Sequence, residues 1–241
     1  MTQGIFIIGT DTEVGKTVVS AGLMYLLLKK SYRAAYFKPV ASGEVAAGHG
    51  AGSPDACFVK TISGFDEEER NITPFAFKNA VAPHLASRME DRPIERSVII
   101  NAFHNLKQRY EWIVAEGAGG LAVPLNNDGY MQYDLIRDLG FSCMLVSRTT
   151  LGTINHTLLT LRYAESLGIR VKGIFMNGYI RSDQERDDID TIMKLTGVPS
   201  LFTIPTLADV DTEKLQAGNL RAVFEELINI DEIAALMEAV G

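Results

Sequence analysis

Short runs that are apolar at nearly every position alternate along this chain with longer stretches whose apolar residues recur every three or four positions. The runs GIFIIG (4–9), RAAYFKPV (33–40), WIVAEG (112–117), SCMLVSR (142–148), VKGIFMN (171–177) and SLFTIP (200–205) predict strands. The periodic stretches predict helices over 16–30, 94–109, 132–139, 153–167, 184–195 and 219–238. Strands that are apolar on both faces and alternate with helices build a mostly parallel sheet covered on both sides. The expected fold class is therefore α/β, in one domain spanning 1–241, because no repeat, low-complexity tract or linker divides the chain. Residues 41–55 (ASGEVAAGHGAGSPD) form the main irregular stretch. In such sheets ligands bind beyond the C-terminal ends of the strands, which is where the unusual polar residues fall.

Composition narrows the picture only a little. The 241 residues carry a net charge of −7, which argues against general affinity for nucleic acid or an anionic membrane. The apolar runs fall short of the ~20 residues that a membrane span needs. The N-terminus MTQGIFIIGTD has no basic segment and reaches Asp11 too soon for a signal peptide. Cys57 and Cys143, the two cysteines, have neither metal-type nor framework spacing. Together these features lead to the expectation of a cytoplasmic protein.

The chemistry concentrates in GTDTEVGKT (9–17), which follows a predicted strand and opens a predicted helix. That is the context of a phosphate-binding loop, and it makes the expected domain P-loop NTPase-like. Backbone N–H groups around Gly15 and the helix N-terminus would hold phosphate oxygens. Lys16 would reach the β- and γ-phosphates, and Thr17 would join a magnesium shell. One departure is visible: Gly9 and Gly15 enclose five residues, where four are usual.

Magnesium also needs carboxylates, and two are well placed. Glu116 ends the strand WIVAEG and runs into Gly117, Ala118 and Gly119, where the backbone can approach phosphate. Asp55 follows the irregular loop; the alternative role for it is an N-cap of the helix that begins near ACFVKTI. Lys38 precedes Pro39 and is pushed to an extended conformation, past the sheet edge. It is either a solvated charge or an anion-stabilising group, and Ser42 could add a hydroxyl to the same pocket. In TTLGTINHT (149–157), Gly152 allows close approach and Thr153 or Asn155 could cap the helix; free N–H groups there would suit a carboxylate. Asn177 could read a purine edge or form a turn before Gly178. No histidine grouping suggests a metal.

In this order GTDTEVGKT, FKPVASG, EGAGG with VPL, and LGTINH resemble the dethiobiotin synthetase family, from about residue 4 to residue 205. The resemblance implies an ATP- and magnesium-dependent ligase that closes the ureido ring of dethiobiotin from diaminopelargonic acid and carbon dioxide. It implies a carbamate on one amine, attack on the γ-phosphate, and ring closure by the second amine on a carbamic–phosphoric anhydride. Lys16, Lys38 and Thr12 are then the catalytic positions, and Thr12 and Ser42 contact the diamine or its carbamate. Glu13, Val14, Gly15, Lys16, Thr17 and Val18 form the nucleotide loop, joined by Gly117, Ala118 and Gly119. Thr17, Asp55 and Glu116 match the magnesium positions. Asn177, with Pro205, Thr206 and Leu207, matches the adenine site. Gly152, Thr153, Ile154 and Asn155 match the site for the distal carboxylate, which in the family comes from the partner subunit, so a homodimer is implied.

Two other families share this style of loop. Partition-type ATPases carry an additional lysine where this chain has Asp11, and an acid cannot supply that charge. Cobalamin amidoligases add a glutamine-hydrolysing domain for which 241 residues leave no room. Residues 43–54, 125–136 and the C-terminal helix carry no recognisable chemistry, the last reading as a packing element.

Overall fold

A computed structural model describes residues 1–43, 52–198 and 200–241. In chain order, β1 (Gln3–Gly9), α1 (Lys16–Lys29), β2 (Ala34–Phe37) and β3 (Val40–Ser42) precede α2 (Pro54–Ser63) and α3 (Glu69–Ile72). Next come β4 (Phe75–Phe77), α4 (Pro83–Met89), α5 (Arg96–Lys107), β5 (Trp112–Gly120) and α6 (Gln132–Asp138). The strands β6 (Cys143–Arg148), β7 (Val171–Tyr179) and β8 (Leu201–Pro205) alternate with α7 (Thr153–Ser166) and α8 (Asp183–Thr196). Short strands β9 (Val210–Asp211) and β10 (Gln216–Ala217) pair before α9 (Leu220–Leu227), α10 (Ile230–Leu236) and β11 (Glu238–Ala239).

The main sheet runs β2-β5-β1-β6-β7-β8, all parallel. Its central strand explains the continuous apolar run at the start of the chain: Ile5, Phe6, Ile7 and Ile8 are all fully buried, because helices cover both faces. From β1 the chain builds outward to β2 and β5 on one side and to β6, β7 and β8 on the other. The crevice opened by that reversal lies at the C-terminal end of β1. The loop 10–15 sits there.

Two elements differ from the expectation. The run 33–40 is not one strand: the chain leaves the sheet at Lys38, whose N–H bonds the Ile72 carbonyl at 2.8 Å, and Pro39 has no N–H to continue a ladder. Val40–Ser42 pairs instead with Phe75–Phe77 as a separate parallel ribbon. The helix expected over 219–238 is broken. Ile228 is extended and buried, and the Asn229 side chain starts a new helix by accepting the Asp231 N–H at 3.1 Å. The chain then turns back so that β11 pairs antiparallel with β1, Gln3 opposite Ala239. It takes the edge of β1 below Phe6, where the pairing with β6 begins.

The packing role expected for the C-terminal segment is met by Phe224. This fully buried ring lies so close to Gly22 of α1 that a Cβ there would strike it. Residue 22 therefore has to be the smallest one for α9 to seat on the helix that follows the phosphate loop. Phe224→Ala should lower unfolding stability by ~3–5 kcal/mol, read from denaturant melts. A loss under ~1 kcal/mol would mean that α9 is not fixed by this contact.

Candidate functional site

The loop after β1 takes its shape from three contacts. Gly15 is left-handed, φ 100°, and a Cβ there would run into the amide of Asn177. That amide donates to the Val14 carbonyl at 3.0 Å, so strand β7 props the loop from the side. Lys16 Nζ donates to the Asp11 carbonyl at 2.9 Å, and Arg148, at the end of β6, donates to the Glu13 carbonyl at 2.9 Å. The additional residue between Gly9 and Gly15 is accommodated with Glu13 at φ 54°, a conformation that side chains seldom adopt.

Behind the loop, two acids and a lysine interlock. Lys38 Nζ lies 2.6 Å from Asp55 Oδ2, 2.8 Å from Glu116 Oε1 and 3.0 Å from the Gly117 carbonyl. The Thr17 hydroxyl lies 3.0 Å from Asp55 Oδ1 and 2.9 Å from Glu116 Oε1. Tyr36, fully buried in β2, donates its hydroxyl to Glu116 Oε2 at 2.8 Å. Lys38 is therefore not a solvated charge: 3% of it is exposed. Asp55 is not the cap of α2 either, since Ser53 fills that position and accepts the Ala56 N–H, leaving Asp55 free to face Lys38 and Thr17. Glu116 sits in the middle of β5, opposite Ile7, and not at the end of the strand, which runs on to Gly120.

Burial and pairing set the charges. Burial opposes the ammonium of Lys38, but the facing Asp55 and Glu116 outweigh it and hold its pKa above the ordinary lysine value. Burial also opposes the charge on Asp55, and Lys38 overrides it and depresses the pKa. For Lys16, burial first and then the charge of Lys38 win over the acids, bringing its pKa down to about 8. Lys16 is thus a cation short of anions.

Thr17 Oγ1, Asp55 and Glu116 converge as oxygen donors, a hydroxyl and two carboxylates, and such hard ligands fit magnesium. These groups face a cavity of about 500 Å³. Thr12, Glu13, Gly15, Lys16, Thr17, Val18, Lys38, Ser42, Asp55, Glu116, Ala118, Gly119 and Asn177 all line it. Val14 is buried behind it, and Gly117 contributes its carbonyl to Lys38.

The remaining sequence-predicted residues lie elsewhere. Gly152, Thr153, Ile154 and Asn155, like Pro205, Thr206 and Leu207, are not in the lining of this cavity. Gly152 itself caps α7, left-handed at φ 96° and with no side-chain cap, so neither Thr153 nor Asn155 plays that role. Thr153 lies inside the helix, and its hydroxyl bonds the Arg148 carbonyl at 2.6 Å.

Sequence reasoning missed four residues. Gln132, buried in the stretch 125–136, accepts the Ala118 N–H and donates to the Gly120 carbonyl, both at 2.6 Å, and so fixes the glycine-rich turn. Tyr36 holds Glu116, Arg148 holds the loop, and Thr212 lines the cavity. A glutamine or a strand tyrosine carries no spacing signal, and only the fold brings these two to the site.

A phosphate loop at the switch point of a parallel sheet, backed by lysines and two acids, defines a P-loop NTPase fold. Solved structures agree: the septum site-determining protein MinD of Pyrococcus horikoshii, complexed with Mg-ADP, superposes with a TM-score of 0.58 at 17% identity, covering 97% of this chain and 96% of that one. A ParA family ATPase from Chlorobium tepidum gives 0.54 at 11%, covering 98% and 94%. At such identities the likeness concerns the fold alone. In sequence, a family profile described as an AAA domain matches residues 3–214. The ATP-dependent dethiobiotin synthetase of Clostridium kluyveri is 39% identical over 241 residues, 99% of each chain. That of Bacillus subtilis is 39% identical over 213 residues, 88% of this chain and 90% of its own. The chain belongs to the dethiobiotin synthetase family, a family of ligases.

The depressed pKa of Lys16 sets a sign that can be measured. Between about 8 and the unfolded value of 10.5, the unfolded chain holds the proton that the folded chain has lost, so Lys16 penalises folding at neutral pH and the penalty fades as the pH rises through that window. Lys16→Met should therefore melt higher than wild type at pH 7, with the gap narrowing by pH 10. A gap that widens with pH would contradict the assignment.

Proposed function

We propose that this chain is an ATP- and magnesium-dependent ligase that closes the ureido ring of dethiobiotin from 7,8-diaminopelargonic acid and carbon dioxide. The observation that carries the reading is the convergence on one cavity of Lys16, Lys38, the Thr17–Asp55–Glu116 oxygens and the hydroxyl residues Thr12 and Ser42. Beside the phosphate loop and the oxygens for magnesium, the cavity also holds Lys38 and the hydroxyls of Thr12 and Ser42, groups suited to a second, acidic substrate.

In this reading the loop Glu13–Val18 and the turn Gly117–Gly119 hold the triphosphate of ATP. Thr17, Asp55 and Glu116 would hold magnesium, which when bound neutralises phosphate charge. One amine of the diamine carries a carbamate, and Thr12 and Ser42 position it. A carbamate oxygen attacks the γ-phosphorus and ADP leaves, giving a carbamic–phosphoric anhydride. The second amine then attacks the carbonyl carbon, and phosphate departs as the ring closes. Both amines belong to one molecule, so orientation supplies much of the rate. Lys16 and Lys38 act as fixed positive charge toward the oxygens on which negative charge moves, the largest contribution that a preorganised site offers. Lys16 is suited to this because it enters the reaction lacking an anionic partner at ion-pair distance among the described residues.

Asn177 with Pro205, Thr206 and Leu207 would receive the base. The start of α7 at Gly152–Asn155, which has no side-chain cap, lies outside the cavity of its own chain. We assign it to the distal carboxylate of the substrate in a partner's cavity, within a homodimer, because helix N–H groups favour carboxylates.

Purified protein given diaminopelargonic acid, bicarbonate, ATP and magnesium should yield dethiobiotin, detected by mass, and omission of the diamine or of bicarbonate should abolish the product. ATP hydrolysis indifferent to the diamine, with no product, would favour a switch ATPase instead. Lys16→Ala and Lys38→Ala should each cut turnover by ~100-fold or more, the scale seen when one charge-stabilising donor is removed. Near-normal output from either folded variant would remove that lysine from the mechanism.

A further inference from the structure

Donors already crowd both oxygens of Glu116. Its Oε2 accepts the Tyr36 hydroxyl at 2.8 Å, in a pocket that excludes water from both residues. Its Oε1 faces the Lys38 ammonium at 2.8 Å and the Thr17 hydroxyl at 2.9 Å, whose one hydrogen is shared between Glu116 and Asp55. Asp55 is divided in the same way, Oδ1 toward Thr17 and Oδ2 toward Lys38 at 2.6 Å. A divalent cation held by Thr17, Asp55 and Glu116 would draw on these same oxygens. Tyr36 hinders the simplest escape, in which Glu116 would offer Oε1 to the metal and Oε2 to the lysine, because its hydroxyl already takes one of the two acceptor sites on Oε2. Lys38 is the component able to yield, since its chain is long and flexible, whereas Tyr36 is fixed in the sheet.

We propose that the Lys38 ammonium is a stand-in for the divalent cation, and that the arriving cation expels it into the cavity lined by Thr12 and Ser42. Lys38 is then delivered to the acidic group of the second substrate only after the metal is in place, and Tyr36 is the positioning residue that opposes sharing of Glu116 between the two cations. The competition has a use. Without a cation, the buried Glu116 and the half-buried Asp55 would be left facing each other with no opposite charge between them, which destabilises the fold. The lysine keeps the empty site folded, and its release couples occupancy of the metal position to capture of the second substrate. By linkage, an anion that takes up the freed ammonium strengthens metal binding by the same factor as the metal strengthens its own.

The inference rests on the magnesium ligands assigned above, and the test separates the two. Manganese is titrated into the nucleotide-free full chain, and the free ion is followed by electron paramagnetic resonance. Lys38→Met should bind manganese at least ~10-fold more tightly than wild type, because the competing cation is gone. Tyr36→Phe should also bind more tightly, with Lys38 intact, because the tyrosine hydroxyl no longer competes with the lysine for Oε2. Glu116→Gln and Asp55→Asn should bind more weakly than wild type. Equal affinity in Lys38→Met and wild type, with loss in the two acid variants, overturns the displacement and leaves the metal site standing. Unchanged affinity in the acid variants overturns the ligand assignment and the displacement with it. Should Lys38→Met fold only when metal is present, manganese must raise its melting temperature more than that of wild type, and an equal rise overturns the proposal.

Discussion

Two carboxylates, Asp55 and Glu116, share the space behind the phosphate loop, and Glu116 has no exposure at all. Charge in such a place needs a partner and satisfied hydrogen bonds, or it destabilises the fold. Around that constraint the local structure is arranged. Strand β2 stops where Lys38 can turn inward, and β5 carries Glu116 from its middle. The start of α2 is capped by Ser53, so that Asp55 is free to face the lysine. The sheet edge, the helix cap and the ion pairs serve one requirement, that opposite charge be stored next to a loop built for anions.

That store is uneven. Lys38 has two acids within 3 Å, while Lys16 donates to the Asp11 carbonyl and has no acid at ion-pair distance among the described residues. One lysine is held cationic by its acids, and the other is a cation whose pKa burial draws down to about 8. A phosphate-handling site gains from both, because one charge is committed to structure until something replaces it, and the other waits for an anion.

How much of this was legible beforehand follows from what kind of signal each residue carries. The phosphate loop and Lys38 stand at strand ends, and Glu116 directly precedes a glycine-rich run, so local spacing speaks for all three, and the cavity gathers them. The parallel sheet was legible for a similar reason, because a run such as Ile5–Ile8 fits only a strand buried on both faces. Tyr36 and Gln132 were not legible. Each acts through one hydrogen bond across 80 or more residues, or through a backbone turn 12 to 14 residues away, and neither has a pattern of its own. The C-terminal helix was misread because acidic and apolar spacing continues across Ile228 and Asn229, although the chain there turns extended to bury an isoleucine and start a second helix.

The meeting of Gly15 and Asn177 reaches beyond the shape of the loop. The amide occupies the space that any side chain at position 15 would need, and the same amide holds the Val14 carbonyl. A mutation at either position alone meets a clash or leaves a prop missing. The shape of the phosphate loop thus depends on a residue 163 positions beyond Val14 in the chain, and exchanging either member of the pair requires a compensating change in the other.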